Sequence, residues 1–135
     1  MVLAANAIVA QSGGPTAVIN NSVCGVVEEW FKSQENHALG TIYGGVSGIK
    51  GILEGNIIDL KQQDAAVIAG LRHTPGAGLF SCRYKVQPQD QEALVALFKR
   101  YNIRYFFYNG GNDSMDTAHQ TYLAAQKAGY EMQVI

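Results

Sequence analysis

At 135 residues the chain is long enough for one domain with a proper core and too short for two of ordinary size. Ten basic residues against eleven acidic ones leave a formal net charge of -1, so no global field draws the chain to nucleic acid or to an anionic membrane, and any anion must be held locally. Cys24 and Cys82 are too few for a disulfide scaffold and lack metal-ligand spacing, and they read as reduced thiols.

The opening MVLAANAIVAQSGG has no basic n-region, and its apolar stretch is interrupted by Asn6 and Gln11. This argues against a signal peptide or a membrane span and sets the expected location in the cytoplasm. NAIVAQ reads as a short strand. After SGGP, the residues Ile19, Val23, Val26, Val27 and Trp30 recur at helical spacing on one face. ALGTIY is a second strand. The glycine-rich GGVSGIKGILEG that follows has too many glycines for a regular element and is expected to be a loop. NIIDL then leads to a short helix around Val67, Ile68 and Leu71, and RHTPGAGLFSCRYK is a further loop punctuated by Pro75, Gly76 and Gly78.

From Pro88 to Tyr101, Leu94, Leu97, Phe98 and Tyr101 fall on one helical face, with Pro88 at a helix start where proline is tolerated. The apolar run from Ile103 to Tyr108, broken only by Arg104, reads as a strand buried on both faces. Two glycines stop it, and a helix is expected from Ser114, with Lys127 in its last turn and Gly129 as the C-cap. YEMQVI begins another apolar strand, which stops at Ile135.

Helices between apolar strands predict a three-layer α/β/α domain with a mostly parallel sheet, formed by residues 1–135 without internal repeat or linker. In open sheets of this kind the loops after the strand C-termini build the site. A chain that ends on a strand is therefore expected to be part of a longer protein, truncated at its C-terminal end.

Three loops share one chemistry: SGGPTA, GLFSCRYK and NGGNDS offer backbone N–H groups or helix N-termini beyond strand ends, which is how such architectures hold phosphates. Glycine at 13, 14, 110 and 111 lets the chain take positive φ and lets an oxygen approach the backbone, while each following helix start carries about half a positive charge. Arg83 and Lys85 add side-chain charge. Taken singly, each junction reads equally as a tight turn; two GG turns with a basic loop between them point to phosphate. The dinucleotide fingerprint is absent, because Pro15 and Val18 stand where glycines are required, and GGVSGIKG lacks the Gly-Lys-Ser/Thr of a P-loop. Asp113 repels a bound polyphosphate unless a magnesium ion lies between them or the carboxylate blocks part of a larger ligand. Asn112 offers a neutral oxygen to such an ion. Asp113 or Ser114 at the N-cap, with Asp116 in the first turn, is an equally good reading as helix chemistry. His37, His73 and His119 lack ligand spacing and receive no role.

The segments AQSGGPTAVINNS, GGVSGIKGILEG, LRHTPGAGLFSCRYK and YNGGNDSMDTA, in this order, resemble the N-terminal part of phosphofructokinases, closest to the diphosphate-dependent branch. The resemblance covers essentially the whole chain. It implies transfer of a phosphoryl group from diphosphate, or ATP, to O1 of fructose 6-phosphate, with Mg2+ as cofactor, in a glycolytic homo-oligomer. By position, Gly13 and Gly14 line the phosphoryl donor and Arg83 meets its phosphates. GGNDS, with Gly111, Asp113 and Ser114 on the donor and Asn112 at the metal, is the magnesium and donor-phosphate loop. An aspartate at position 113 implies that space needed by ATP is filled. No catalytic residue is assigned in this chain, because the family's catalytic aspartate follows the strand that begins at MQVI. A non-catalytic phosphate- or nucleotide-binding α/β module is the alternative.

Overall fold

The structure, a computed structural model, describes residues 4–14 and 16–135; Pro15, with its place in the first glycine turn, and the first three residues of the opening segment lie outside them. Its elements are β1 (Ala5–Gln11), α1 (Ala17–Ser33), β2 (Leu39–Gly45), α2 (Gly48–Leu53), β3 (Ile57–Asp59), α3 (Ala65–Gly70), α4 (Pro88–Arg100), β4 (Ile103–Asn109), α5 (Asn112–Lys127) and β5 (Gln133–Val134). They form one five-stranded sheet in the order β3-β2-β1-β4-β5. Every neighbouring pair is parallel except β2 and β3, which run antiparallel with Tyr43 opposite Asp59.

The central strand shows why three layers form. Ala7 and Val9 point to one face and pack under Val23, Val27 and Trp30 of α1, whereas Ile8 and Ala10 point to the other and join Ile49, Ile52, Leu94, Phe98 and Ala125 from α2, α4 and α5. Alternation within one apolar strand thus feeds two cores. β4 does the same, with Phe106 and Tyr108 buried on the α4/α5 side and Tyr105 and Phe107 half-buried on the α1 side. Going from β1 to β2 moves across the sheet one way and going from β4 to β5 moves the other way. Right-handed crossovers therefore put α1 and α5 on opposite faces. The connections diverge between β1 and β4, and a crevice opens beyond their C-terminal ends.

One expectation fails. GGVSGIKGILEG is not a loop: its middle is α2, entered through Ser47 and Gly48 in the left-handed region, with φ +67° and +60°. Ile49 and Ile52 are buried beneath it. At Gly51 an added Cβ would overlap the Val46 carbonyl oxygen, so the glycines here allow a tight helical turn against the strand it follows. The last helix also begins earlier than its pattern suggests. Gly111 is its N-cap, which places Asn112 and Asp113 in the first turn, Asp116 in the second, and Gly129 with φ +68° just past the cap at Ala128.

Candidate functional site

Beyond the C-terminal ends of β1 and β4 lies a cleft of about 810 Å3 lined by the turn Ser12–Gly14, the stretch Cys82–Val86 and the start of α5. The residues assigned from the sequence to the donor and the metal all border it, namely Gly13, Gly14, Arg83, Gly111, Asn112, Asp113 and Ser114, whereas Gly110 does not. The parallel pairing of Gln11 with Asn109 sets the two glycine turns side by side, and Ser12 N–H donates to the Asn109 carbonyl at 2.7 Å. Of the four glycines, only Gly13 takes positive φ, at +81°. A Cβ on it would stand 3.1 Å from Gly111 N, and one on Gly110 would lie 2.6 Å from Ser114 Cβ and 2.9 Å from the Ser12 carbonyl oxygen. Those two glycines let the turns touch each other. At Gly14 and Gly111 a Cβ would meet nothing within 4 Å.

Neither helix start is closed by a side chain. Thr16 before α1 and Gly111 before α5 make no side-chain capping bond, and α1 has no acidic residue in its first turn. Helix starts of this kind leave unpaired N–H groups and a partial positive charge, the usual conditions for holding an anion. Asp113 and Asn112 are exposed, and Ser114 is buried. Because Gly111 is the N-cap, neither Asp113 nor Ser114 is the cap expected as one reading of the sequence.

The basic loop reaches the cleft by crossing the end of the sheet. Leu79 is buried in the core under α1, whereas Cys82 and Val86 pack against the core on the opposite face. Between them Phe80 takes φ +60°, a left-handed conformation that is costly for a bulky side chain, and remains 63% exposed. Ser81 Oγ then donates to the Gly13 carbonyl at 3.3 Å, and Tyr84 OH to Asp90 at 2.8 Å, so the stretch carrying Arg83 and Lys85 is tied down on both sides. Arg83 and Lys85 are exposed.

Two residues to which the sequence reading gave no part in a site, Tyr108 and Gln91, also line the cleft. Tyr108 is 3% exposed, and burial pushes its phenol up, with a bond to the Ser12 side chain opposing the shift; it stays a neutral group. Gln91 accepts a bond from Thr121 Oγ1 at 2.9 Å, which joins α4 to α5 behind the cleft. Both were hidden inside apolar runs or helix patterns that read as core. Asn112, Asp113 and Asp116 border the same space, but among the described residues no three or more His, Cys, Asp or Glu side chains are grouped to hold a metal by themselves. Such a donor set fits magnesium, which keeps several waters and is usually held by one or two side chains together with substrate phosphates. His37, His73 and His119 are exposed, and Cys24 and Cys82 are free. No helix of the described residues is long and apolar enough to cross a membrane.

Residues 6–135 match the family model described as Phosphofructokinase. The chain is 45% identical to the pyrophosphate–fructose 6-phosphate 1-phosphotransferase of Methylococcus capsulatus over 137 residues, covering 98% of this chain and 32% of that protein. It is 30% identical to the sulfofructose kinase of Alkalicoccus urumqiensis, covering 94% of this chain and 32% of that one. The solved structure of the pyrophosphate-dependent phosphofructokinase from Nitrosospira multiformis superposes with a TM-score of 0.88 at 45% identity, over 96% of this chain and 32% of the other. The chain thus spans about a third of the length of these relatives.

Proposed function

The chain belongs to the phosphofructokinase family, and from that premise we propose that residues 1–135 are the phosphoryl-donor domain of a diphosphate-dependent enzyme that phosphorylates O1 of fructose 6-phosphate. The observation that carries the reading is the joint position of the Ser12–Gly14 turn, the uncapped start of α5 and the Arg83–Lys85 loop around one cleft. Phosphoryl transfer depends chiefly on positioning and on neutralising charge. The backbone N–H groups beyond Gly111 orient one phosphate, Arg83 holds its oxygens in a forked, charge-assisted contact, and Lys85 adds a point charge. Asn112 would be a side chain holding magnesium, which would supply charge neutralisation to the bound diphosphate. Asp113 fills and charges the space past the second phosphate, which disfavours a nucleotide.

Among the described residues lining the cleft none is assigned to take a proton from a sugar hydroxyl, since its carboxylates Asp113 and Asp116 lie in the first two turns of α5, where they would face the donor. The general base and the sugar-phosphate contacts therefore come from elsewhere in the protein, which we place in the cytoplasm as a homo-oligomeric enzyme of glycolysis. The 135-residue chain by itself is expected to turn over neither donor. The test is a coupled assay of the protein produced from its own gene, with fructose 6-phosphate, magnesium and either diphosphate or ATP. Turnover with diphosphate exceeding that with ATP is expected. Diphosphate binding without turnover would identify a non-catalytic phosphate-binding module instead, and absence of both would reduce the glycines to turns.

A further inference from the structure

The buried polar groups on the α1 side of the sheet are few, and two of them touch. Gln11, the last residue of β1, and Asn20, in the second turn of α1, are both fully buried. Gln11 Nε2 donates to Asn20 Oδ1 at 2.9 Å. Their remaining polar atoms all turn to the backbone of one loop: Gln11 Oε1 accepts from Leu79 N at 2.7 Å, Asn20 Oδ1 accepts from Gly78 N at 2.7 Å, and Asn20 Nδ2 donates to the carbonyls of Thr74, at 2.7 Å, and Gly76. The carbonyl of Leu79 is held from the other side by Ser47 N at 2.8 Å. The backbone donors and acceptors of the loop fix which end of each amide faces which partner, so the arrangement is complete in one orientation only.

The two buried amides are the partners of loop backbone groups that apolar residues of similar volume would leave unpaired, so the loop is satisfied only where it meets β1 and α1. What they gain is position. The loop they grip runs directly into Phe80 and then Ser81–Lys85, whose course over the sheet end brings Arg83 beside the glycine turn that begins one residue after Gln11. We infer that Gln11 and Asn20 are positioning residues for the phosphoryl donor: they lock the Arg83 loop to the β1–α1 turn, so that the guanidinium and the glycine backbone are set against each other before any ligand arrives. This rests on the reading of the cleft as a donor site. Neither side chain borders the cleft, so both act only through the loop.

The test uses the protein produced from its own gene, with Asn20→Leu, which removes all the loop bonds of that residue, and Gln11→Met, which keeps volume and removes fewer. In both, hydrogen exchange at the amides of Gly78 and Leu79 should accelerate while Ile8 and Val9 in β1 stay protected. The KM for diphosphate should rise about tenfold, with the KM for fructose 6-phosphate unchanged, because preorganisation of a charge-assisted phosphate contact is lost. A double-mutant cycle distinguishes positioning from mere stability: Arg83→Ala should raise the diphosphate KM about tenfold in the parent but under about threefold in the Asn20→Leu background. Protected loop amides, or additive effects of the two substitutions, would overturn the inference. If the parent turns over no diphosphate, the functional reading fails, and the exchange rates still decide whether the pair anchors the loop.

Discussion

Two glycine-rich regions of this chain look alike as text and differ as matter. In Gly44–Gly51 the missing side chains are replaced by neighbours: Cβ atoms would stand 3.0 Å from Leu60 at Gly44 and 2.7 Å from Ile52 at Gly45, and would overlap the Val46 carbonyl at Gly51. In the turns after β1 and β4 the glycines divide. Gly13 and Gly110 are packed against the opposite turn, while Gly14 and Gly111 look into open space on the wall of the cleft. A glycine whose absent Cβ is filled by protein serves packing. One whose absent Cβ leaves a gap beside uncapped N–H groups leaves room for a ligand.

The contrast can be broken most severely at Gly51. Gly51→Ala forces backbone apart in a closed turn and should cost more than about 3 kcal/mol, read as a fall in the denaturant midpoint or as failure to fold. Gly111→Ala is the opposite case. With φ -89° and no neighbour, alanine fits, and stability should change by less than about 1 kcal/mol, the ordinary cost of alanine at an N-cap. Diphosphate affinity should nevertheless fall about tenfold or more, because the methyl takes the place of a phosphate oxygen. Equal affinity in the variant would return Gly111 to the packing class.

Asp113→Gly tests the same wall from the side of size. Removing the carboxylate should raise the ratio of ATP to diphosphate turnover about tenfold, by opening room and removing repulsion. An unchanged ratio removes Asp113 as the selector. The smallest effect is expected at Phe80, where strain falls on a residue that is not glycine. Phe80→Gly relieves the left-handed conformation of an exposed ring, and the thermal midpoint should rise by the equivalent of up to about 1 kcal/mol. A drop would show that the ring is held by contacts worth more than its backbone costs.

The sequence made the layers legible because each strand and long helix carries its own periodicity. Ile19, Val23 and Trp30, or Leu94 and Phe98, announce a face that tertiary packing then uses. It also brought together the glycine turns of the cleft, since Gly13, Gly14 and Gly111–Ser114 follow the adjacent strands β1 and β4, whereas Arg83 follows no strand, contrary to the expectation for its loop, and reaches the cleft through the course of the segment between α3 and α4. Helix α2 was not legible. Its glycines lower helix propensity, and what overrides this is burial of Ile49 and Ile52 in the core that holds Ile8 and Ala10 of β1 and Leu94 and Phe98 of α4. Gln11 and Asn20 were missed for the converse reason: each is polar at a position whose spacing is that of the core, Asn20 falling in line with Val23 and Val27. A polar residue in such a place signals a buried partner, but the partner here is backbone 54 to 68 residues away, with no side-chain signature.

The central claim is that the cleft between the two glycine turns is the phosphoryl-donor site, and a crystal structure of the protein produced from its own gene, grown with magnesium and diphosphate, tests it most directly. The account predicts diphosphate in the cleft with a phosphate accepting from the backbone N–H groups at the start of α5 and from Arg83, and with magnesium on the side of Asn112. Diphosphate bound away from both glycine turns, with Arg83 making no contact to it, would contradict the account.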